Sequence, residues 1–180
     1  MSNKELADLM FPNVEHDPDY YEKLYPERDL PEGAVVSRFA PSPTGFVHMG
    51  SLLAAFIESK VPKETNGVFY LRIEDTDGKR SVENGVQGII DDLNNFEIKI
   101  DEGVVSENEQ IGKYGPYIQS ERKEIYDTYA KYLVEQGLAY PCFCTQEEID
   151  ETRKMQELNK ERIGIYGSYA KCRFLTNEER

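Results

Sequence analysis

Between a strand-like run, VVSRFA (Val35 to Ala40), and a helix-spaced apolar series, Met49, Leu52, Leu53, Phe56 and Ile57, the chain holds a stiff corner, PSPTGFVHMGS. Pro41 and Pro43 restrict the backbone there, Gly45 permits a tight bend, and Pro62 is expected to end the helix that follows. A second strand, VFYLRI (Val68 to Ile73), is almost uninterruptedly apolar, β-branched and aromatic, the pattern of a strand covered on both faces. Strand, helix and buried strand in that order predict a right-handed crossover and a parallel sheet.

The rest of the chain is arranged around this unit. Residues 1–34 contain Pro12, Pro18, Pro26 and Pro31 among many acids and read as a surface-packed extension with one short helix near Lys4 to Met10. Ser81 is expected to cap a helix whose apolar face is Val86, Ile89, Ile90, Leu93 and Phe96. Gly103 to Tyr117 reads as irregular, a domain border. Ser120 is expected to cap a helix carrying Tyr126, Tyr129 and Leu133 on one side and closed by Gly137; Thr145 and Glu148 form a capping box for another. AYPCFC and KCRFL read as short strands.

Composition narrows the class. No run approaches the roughly 20 apolar residues of a membrane helix, and the N-terminus lacks the layout of a signal peptide, so no membrane partner and a cytoplasmic location are expected. Three cysteines argue against a disulfide scaffold. The net charge of −13 would disfavour nucleic acid, but its distribution matters more. Residues 35–80, which hold the corner, hold 6 basic against 5 acidic side chains, whereas residues 1–34 hold 3 against 9 and residues 81–120 hold 2 against 8. The corner lies in the one segment fit to receive an anion, although an acidic surface with one average patch explains the distribution as well.

The chemistry of the corner follows from its residue types. Free N–H groups at a helix start favour negative charge, so a phosphate fits over the turn containing His48, whose imidazole adds a donor. Gly50, without a side chain, lets a base or ribose approach the backbone. On the corner alone, an ordinary Pro-Gly connection with a helix-capping histidine accounts for it equally well. Neither G-x-x-x-x-G-K-[ST] nor G-x-G-x-x-G occurs, which disfavours a kinase or dehydrogenase. At the end of the first strand the Arg38 guanidinium is suited to grip a carboxylate with two parallel bonds, and Glu74, where the second strand ends, to pair with an ammonium group.

Taken together, RFAPSPTGFVHMGS, LRIEDTD and YGPYIQSER resemble the bacterial glutamyl-tRNA synthetase family, class I aminoacyl-tRNA synthetases, from about Val36 to Arg173. His48-Met49-Gly50-Ser51 is similar to the HIGH signature, with Ser51 in place of the last His. The resemblance implies a fold and an activity. The fold is α/β: the first half of a Rossmann-like parallel-sheet nucleotide-binding domain (residues 35–113) and the start of an α+β acceptor-binding insertion (residues 114–180). The activity is ATP-dependent conversion of glutamate to glutamyl-adenylate and transfer to the acceptor end of tRNA(Glu), with Mg2+ arriving on ATP. It implies nucleotide contacts at Thr44, Gly45, His48, Gly50 and Ser51, with His48 catalytic. It places the glutamate side chain on Arg38, the α-ammonium on Glu74, and Ala40 and Ser42 in the same pocket.

RFPPEP-like and RFDDTNP-like versions of these motifs, found in glutaminyl and archaeal-type glutamyl enzymes, are missing. The shortened relative that glutamylates queuosine on tRNA(Asp) is the alternative enzyme, and a non-catalytic amino-acid or tRNA-binding module the alternative of another class. Asp75 and Asp77 are assigned no metal. Cys142, Cys144 and Cys172 match three zinc thiolates of some family members, but Phe174 stands where the fourth ligand would be, so they read as packing cysteines and zinc is not expected. A KMSKS-type lysine loop is also missing from the sequence, which predicts that these 180 residues alone activate glutamate poorly.

Overall fold

A computed structural model describes every residue of the chain except residue 46. The chain divides into two compact units, residues 19–126 and a second made of residues 1–18 with 127–180. The 1–34 segment taken from sequence as one extension is thus shared between them.

In the 19–126 unit, β1 (Val36–Phe39), β2 (Val68–Leu71), β3 (Glu102–Ser106) and β4 (Glu109–Ile111) form one sheet in the order β1-β2-β3-β4. The first two pairings are parallel, with Arg38 beside Tyr70 and Phe39 beside Leu71; β4 returns antiparallel to β3. Phe39, Phe69, Leu71 and Ile73 point to one side, where Ala55 of α3 (Met49–Thr65) and Ile89, Ile90 and Leu93 of α4 (Gly85–Asn95) close the core. Each of these residues is less than a tenth exposed, so the parallel crossover read from sequence is built around one apolar layer.

Several sequence expectations need correction. α3 does not end at Pro62 but continues to Thr65. Proline has no N–H for the Glu58 carbonyl one turn earlier, and the Ser37 hydroxyl of β1 donates to that oxygen at 2.5 Å instead. The freed acceptor is satisfied from the sheet, so the helix persists. Ser81 does not cap α4, whose N-cap is Asn84 in the left-handed region; Val82 N–H bonds the Pro43 carbonyl at 3.0 Å and holds the preceding segment in a turn. Phe96 is half exposed rather than part of the α4 face. The stretch from Gly103 begins with the β3-β4 hairpin rather than being irregular throughout: Glu107 sits in its turn and Glu109 on the short edge strand β4, where charge discourages further pairing, and residues 112–117 form no regular element. Ser120 lies inside a single 3-10 turn, Gln119–Arg122, ahead of α5 (Lys123–Glu135).

The same unit includes the segment 19–33. The Arg28 guanidinium forks onto Glu102 at 2.5 and 2.7 Å, and Tyr117 donates its hydroxyl to the same carboxylate at 2.6 Å. Arg28's two N–H donors, opposed by desolvation and helped by Tyr117, hold the Glu102 carboxyl below its ordinary value of 4.5. Because the folded-state value is depressed, this contribution is complete above pH 4.5 and disappears as pH falls through the folded-state value. Urea unfolding of Glu102→Gln between pH 7 and pH 3 is therefore expected to show a shallower loss of stability below about 4.5 than the parent chain; parallel curves would refute the assignment.

In the other unit, α1 (Asn3–Met10) begins with a Ser2/Glu5 capping box, and Leu6, Ala7 and Val134 form a small core. Lys131 pairs with Asp8 at 2.7 Å. The buried side of α5 carries Thr128 and Val134, while Tyr126, Tyr129 and Leu133 are each about two-fifths exposed, unlike the face read from sequence. The Thr145/Glu148 capping box opens α6 (Gln146–Leu158) as expected. Fully buried Gln156 then exchanges two hydrogen bonds with Gly164, at 2.8 and 3.0 Å. AYPCFC forms no strand, and Lys171–Phe174 of KCRFL is a 3-10 turn, with the Arg173 and Leu175 N–H groups bonded to Ala170 and Cys172 within it.

Candidate active site at the carboxyl ends of the first two strands

Both motifs leave the sheet at the same edge. The PSPTG loop follows β1, the EDTD loop follows β2, and the two are laced by backbone bonds: Arg72 N–H to the Phe39 carbonyl at 3.0 Å, Glu74 N–H to Pro41 at 2.9 Å, and Val82 N–H to Pro43 at 3.0 Å. Parallel strands place their carboxyl ends side by side, so this neighbourhood follows from the crossover itself.

His48 is the N-cap of α3. Its Nδ1 accepts the Ser51 N–H at 3.3 Å, and the Ser51 hydroxyl lies 3.2 Å from Nε2. With Nδ1 accepting, the neutral ring carries its proton on Nε2, which is the donor offered to a ligand or to Ser51. The capping role that sequence left open is thus present, and it orients the ring rather than consuming its donor. A Cβ at Gly50 would stand 3.2 Å from the imidazole Nδ1 and Cε1, so glycine there gives the ring its room. Thr44 is half-buried, its N–H bonded to the Ser42 carbonyl at 2.8 Å in a tight turn; Ser42 and Gly45 are exposed and Ala40 half-buried. The structure brings Thr44, Gly45, His48, Gly50 and Ser51 onto the loop and first turn that lead into α3.

Arg38 is exposed on β1, beside Tyr70 of β2. Its charge reaches Glu58 of α3, whose carboxyl is pushed up by burial and drawn back by Arg38. Glu74 is one-third exposed and receives Arg72 Nη2 at 3.0 Å, an ion pair missed by the sequence reading. The signal was present: in R-I-E an extended backbone puts the first and third side chains on one side. The two aspartates diverge. Asp75 accepts the Ser120 N–H at 2.9 Å and its hydroxyl at 2.5 Å, whereas Asp77 accepts Arg80 Nε at 2.6 Å, which holds its carboxyl below the ordinary range. Asp75 is thus occupied by the Gln119–Arg122 turn and Asp77 by its own loop.

In the other unit the three cysteine sulfurs lie within 4.8 Å of one another. Cys172 is buried, accepts the Phe143 N–H at 3.3 Å and sits 3.9 Å from Cys144; Cys142 is exposed, so packing alone does not describe the trio. A Phe143 N–H lowers the Cys172 thiol, while hydrogen bonds with Cys142 and Cys172 push Cys144 up to about 11. Tyr166 and Tyr169 spend their hydroxyls on the Arg162 carbonyl and Glu161, both at 2.6 Å, and Phe174 is largely exposed. Three donors do not complete the four of a structural zinc site.

A loop that turns into a crossover helix, bonded to the loop that leaves the neighbouring parallel strand, defines an α/β fold of the Rossmann-like class. Residues 34–180 match the catalytic domain of class I tRNA synthetases (E and Q), and the chain belongs to that family. It is 52% identical to a glutamate–tRNA ligase of Clostridium beijerinckii over 179 residues, 99% of this chain and 32% of the relative. Identity to the Acetivibrio thermocellus glutamate–tRNA ligase is also 52%, over 99% of this chain and 33% of that one. The crystal structure of a glutamate tRNA ligase from Elizabethkingia meningosepticum, in complex with its amino acid, is similar with a TM-score of 0.57 and 39% identity, covering 71% of this chain and 25% of that one. The chain thus spans about a third of the length of the curated relatives it matches. Among the described residues no helix is long and apolar enough to cross a membrane.

Proposed function

We propose that these residues form the amino-acid and nucleotide corner of a cytoplasmic glutamate–tRNA ligase. The observation that carries the reading is the lacing of the PSPTG loop, which leads into HMGS, to the Glu74 strand end, in a chain half identical to ligases of that name over almost its whole length. ATP lies over the start of α3 with Mg2+ on its phosphates, and Thr44, Gly45, Gly50 and Ser51 line its approach. Arg38 takes the glutamate side-chain carboxylate and Glu74 its α-ammonium, with Ala40 and Ser42 completing the pocket. The substrate's own α-carboxylate attacks the α-phosphorus and pyrophosphate leaves; a hydroxyl of the terminal adenosine of tRNA(Glu) then attacks the acyl carbonyl and AMP leaves. His48 Nε2–H donates to phosphate oxygen as charge builds there, so the chain's contribution is positioning and electrostatic stabilisation. Residues 35–113 supply the first half of the catalytic domain and residues 114–180 begin the part that receives the acceptor end.

The test is pyrophosphate exchange with glutamate, ATP and cognate tRNA, and aminoacylation, by the product of the complete reading frame. Glutamate-dependent exchange and charging of tRNA(Glu) are expected. Charging of tRNA(Asp) instead would favour the queuosine-directed relative, and glutamate binding without exchange would favour the non-catalytic module. The 180 residues alone are expected to exchange at a small fraction of that rate, because losing one charge-stabilising contact costs about 100-fold or more.

A further inference from the structure

The family match starts at residue 34, so residues 19–33 stand outside it, yet the relatives at 52% identity are matched over 99% of the chain. This segment is bonded into the 19–126 unit at defined points. Besides the Arg28 fork on Glu102, the Arg28 guanidinium lies 3.8 Å from the centre of the Tyr114 ring. The Tyr25 hydroxyl donates to the Gly115 carbonyl at 2.5 Å, and the Tyr114 hydroxyl to the Pro26 carbonyl at 2.8 Å. All of these contacts converge on residues 102, 114 and 115.

The same loop holds both neighbours of Glu74. Ile73 donates its N–H to the Tyr117 carbonyl and accepts from Gln119 N–H, both at 2.9 Å, while Asp75 takes the N–H and hydroxyl of Ser120. Tyr117, 2% exposed, links the two ends: its hydroxyl is on Glu102 and its carbonyl on Ile73. We propose that residues 19–33 brace the amino-acid carboxylate of this site, with Arg28 as a positioning residue that sets Glu74 through Glu102 and Tyr117. The proposal rests on the reading of Glu74 as the partner of the α-ammonium. Arg28 itself touches no substrate; removing its fork leaves Glu102 with only the Tyr117 hydroxyl and loosens the loop that fixes residues 73 and 75.

The experiment compares Arg28→Met and Arg28→Lys with wild type in the complete gene product, by amide hydrogen exchange and by pyrophosphate-exchange kinetics. Arg28→Met is expected to speed amide exchange at residues 73–76 and 117–120 and to raise the glutamate KM on the order of tenfold, the size of one network coupling. The ATP KM should stay within about twofold, because the HMGS corner is not among the braced residues. Arg28→Lys keeps the charge without the fork and should recover part of the loss. Unchanged amide exchange at 73–76 overturns the brace. Faster amide exchange with an unchanged glutamate KM, or glutamate and ATP KM rising together, overturns the positioning role. A wild-type protein that activates no glutamate removes the site reading and the positioning role with it, while amide exchange alone still decides the brace. Should Arg28→Met fail to fold, Tyr25→Phe, which removes only the bond to Gly115, takes its place in both measurements, and the same results support or overturn the brace.

Discussion

Arg38→Ala, made in the complete gene product, is expected to lower kcat/KM for glutamate by roughly 100-fold or more while the KM for ATP is unchanged. Arg38 stands exposed at the carboxyl end of β1, with its guanidinium available for two parallel bonds to one carboxylate. With Arg38 as the proposed partner, truncation leaves the substrate's charge unpaired, and such losses run to about 2–5 kcal/mol. Arg38→Lys should recover only part, because an ammonium is a point charge without the planar fork. On the proposed reading of Glu74 as partner of the α-ammonium, Glu74→Gln removes that charge but keeps the shape, so it should damage glutamate use by a comparable factor. It should also leave Arg72 without its carboxylate, at 3.0 Å in the parent. Steady-state exchange at varied glutamate and at varied ATP measures both effects. Glutamate dependence that survives both substitutions would remove these residues from the pocket.

Gly103→Ala is expected to destabilise the protein by roughly 3 kcal/mol or more, from overpacking added to backbone strain. Gly103 has φ +120°, and a Cβ built there would lie 2.1 Å from the Leu71 carbonyl oxygen and 2.7 Å from its nitrogen. Both are backbone atoms of the central strand pair, in which Gly103 faces Leu71 on one side and Ile111 on the other. No side chain can swing away to relieve the contact, so β2 and β3 must separate. Against a total stability of about 5–15 kcal/mol the cost is large, and for a chain of this length it corresponds to a fall in Tm of about 10 °C. Urea unfolding of the 180-residue chain measures it. A loss below about 1 kcal/mol would show that the strands are not this close.

The parts legible in the sequence are those fixed by local pattern. The apolar, β-branched run at 68–73 gave a parallel strand, though only Val68–Leu71 pairs as β2 and only its Phe69 and Leu71 face is buried; the 3.6-residue spacing after the corner gave α3, and the Thr145/Glu148 pair gave the start of α6. What escaped depended on partners distant in sequence. No local rule places the Ser37 hydroxyl under the Glu58 carbonyl, so Pro62 read as a stop; nothing near Ser81 announces that Val82 will bond Pro43. β3 and β4 were hidden by their acids, and Arg28's claim on Glu102 spans 74 residues. The two loops were more readable than their supports. PSPTG and EDTD each follow a strand end, and strand ends meet in a parallel sheet, whereas the Arg72–Glu74 pair and the Ser120 clamp on Asp75 needed the folded chain.

The cross-stitching of the two loops has a consequence for any attempt to retune this corner. A designer who grafts a different PSPTG segment also shifts the anchor points of residues 74 and 82. On the function proposed above, nucleotide grip and the choice of amino acid are then not separable cassettes.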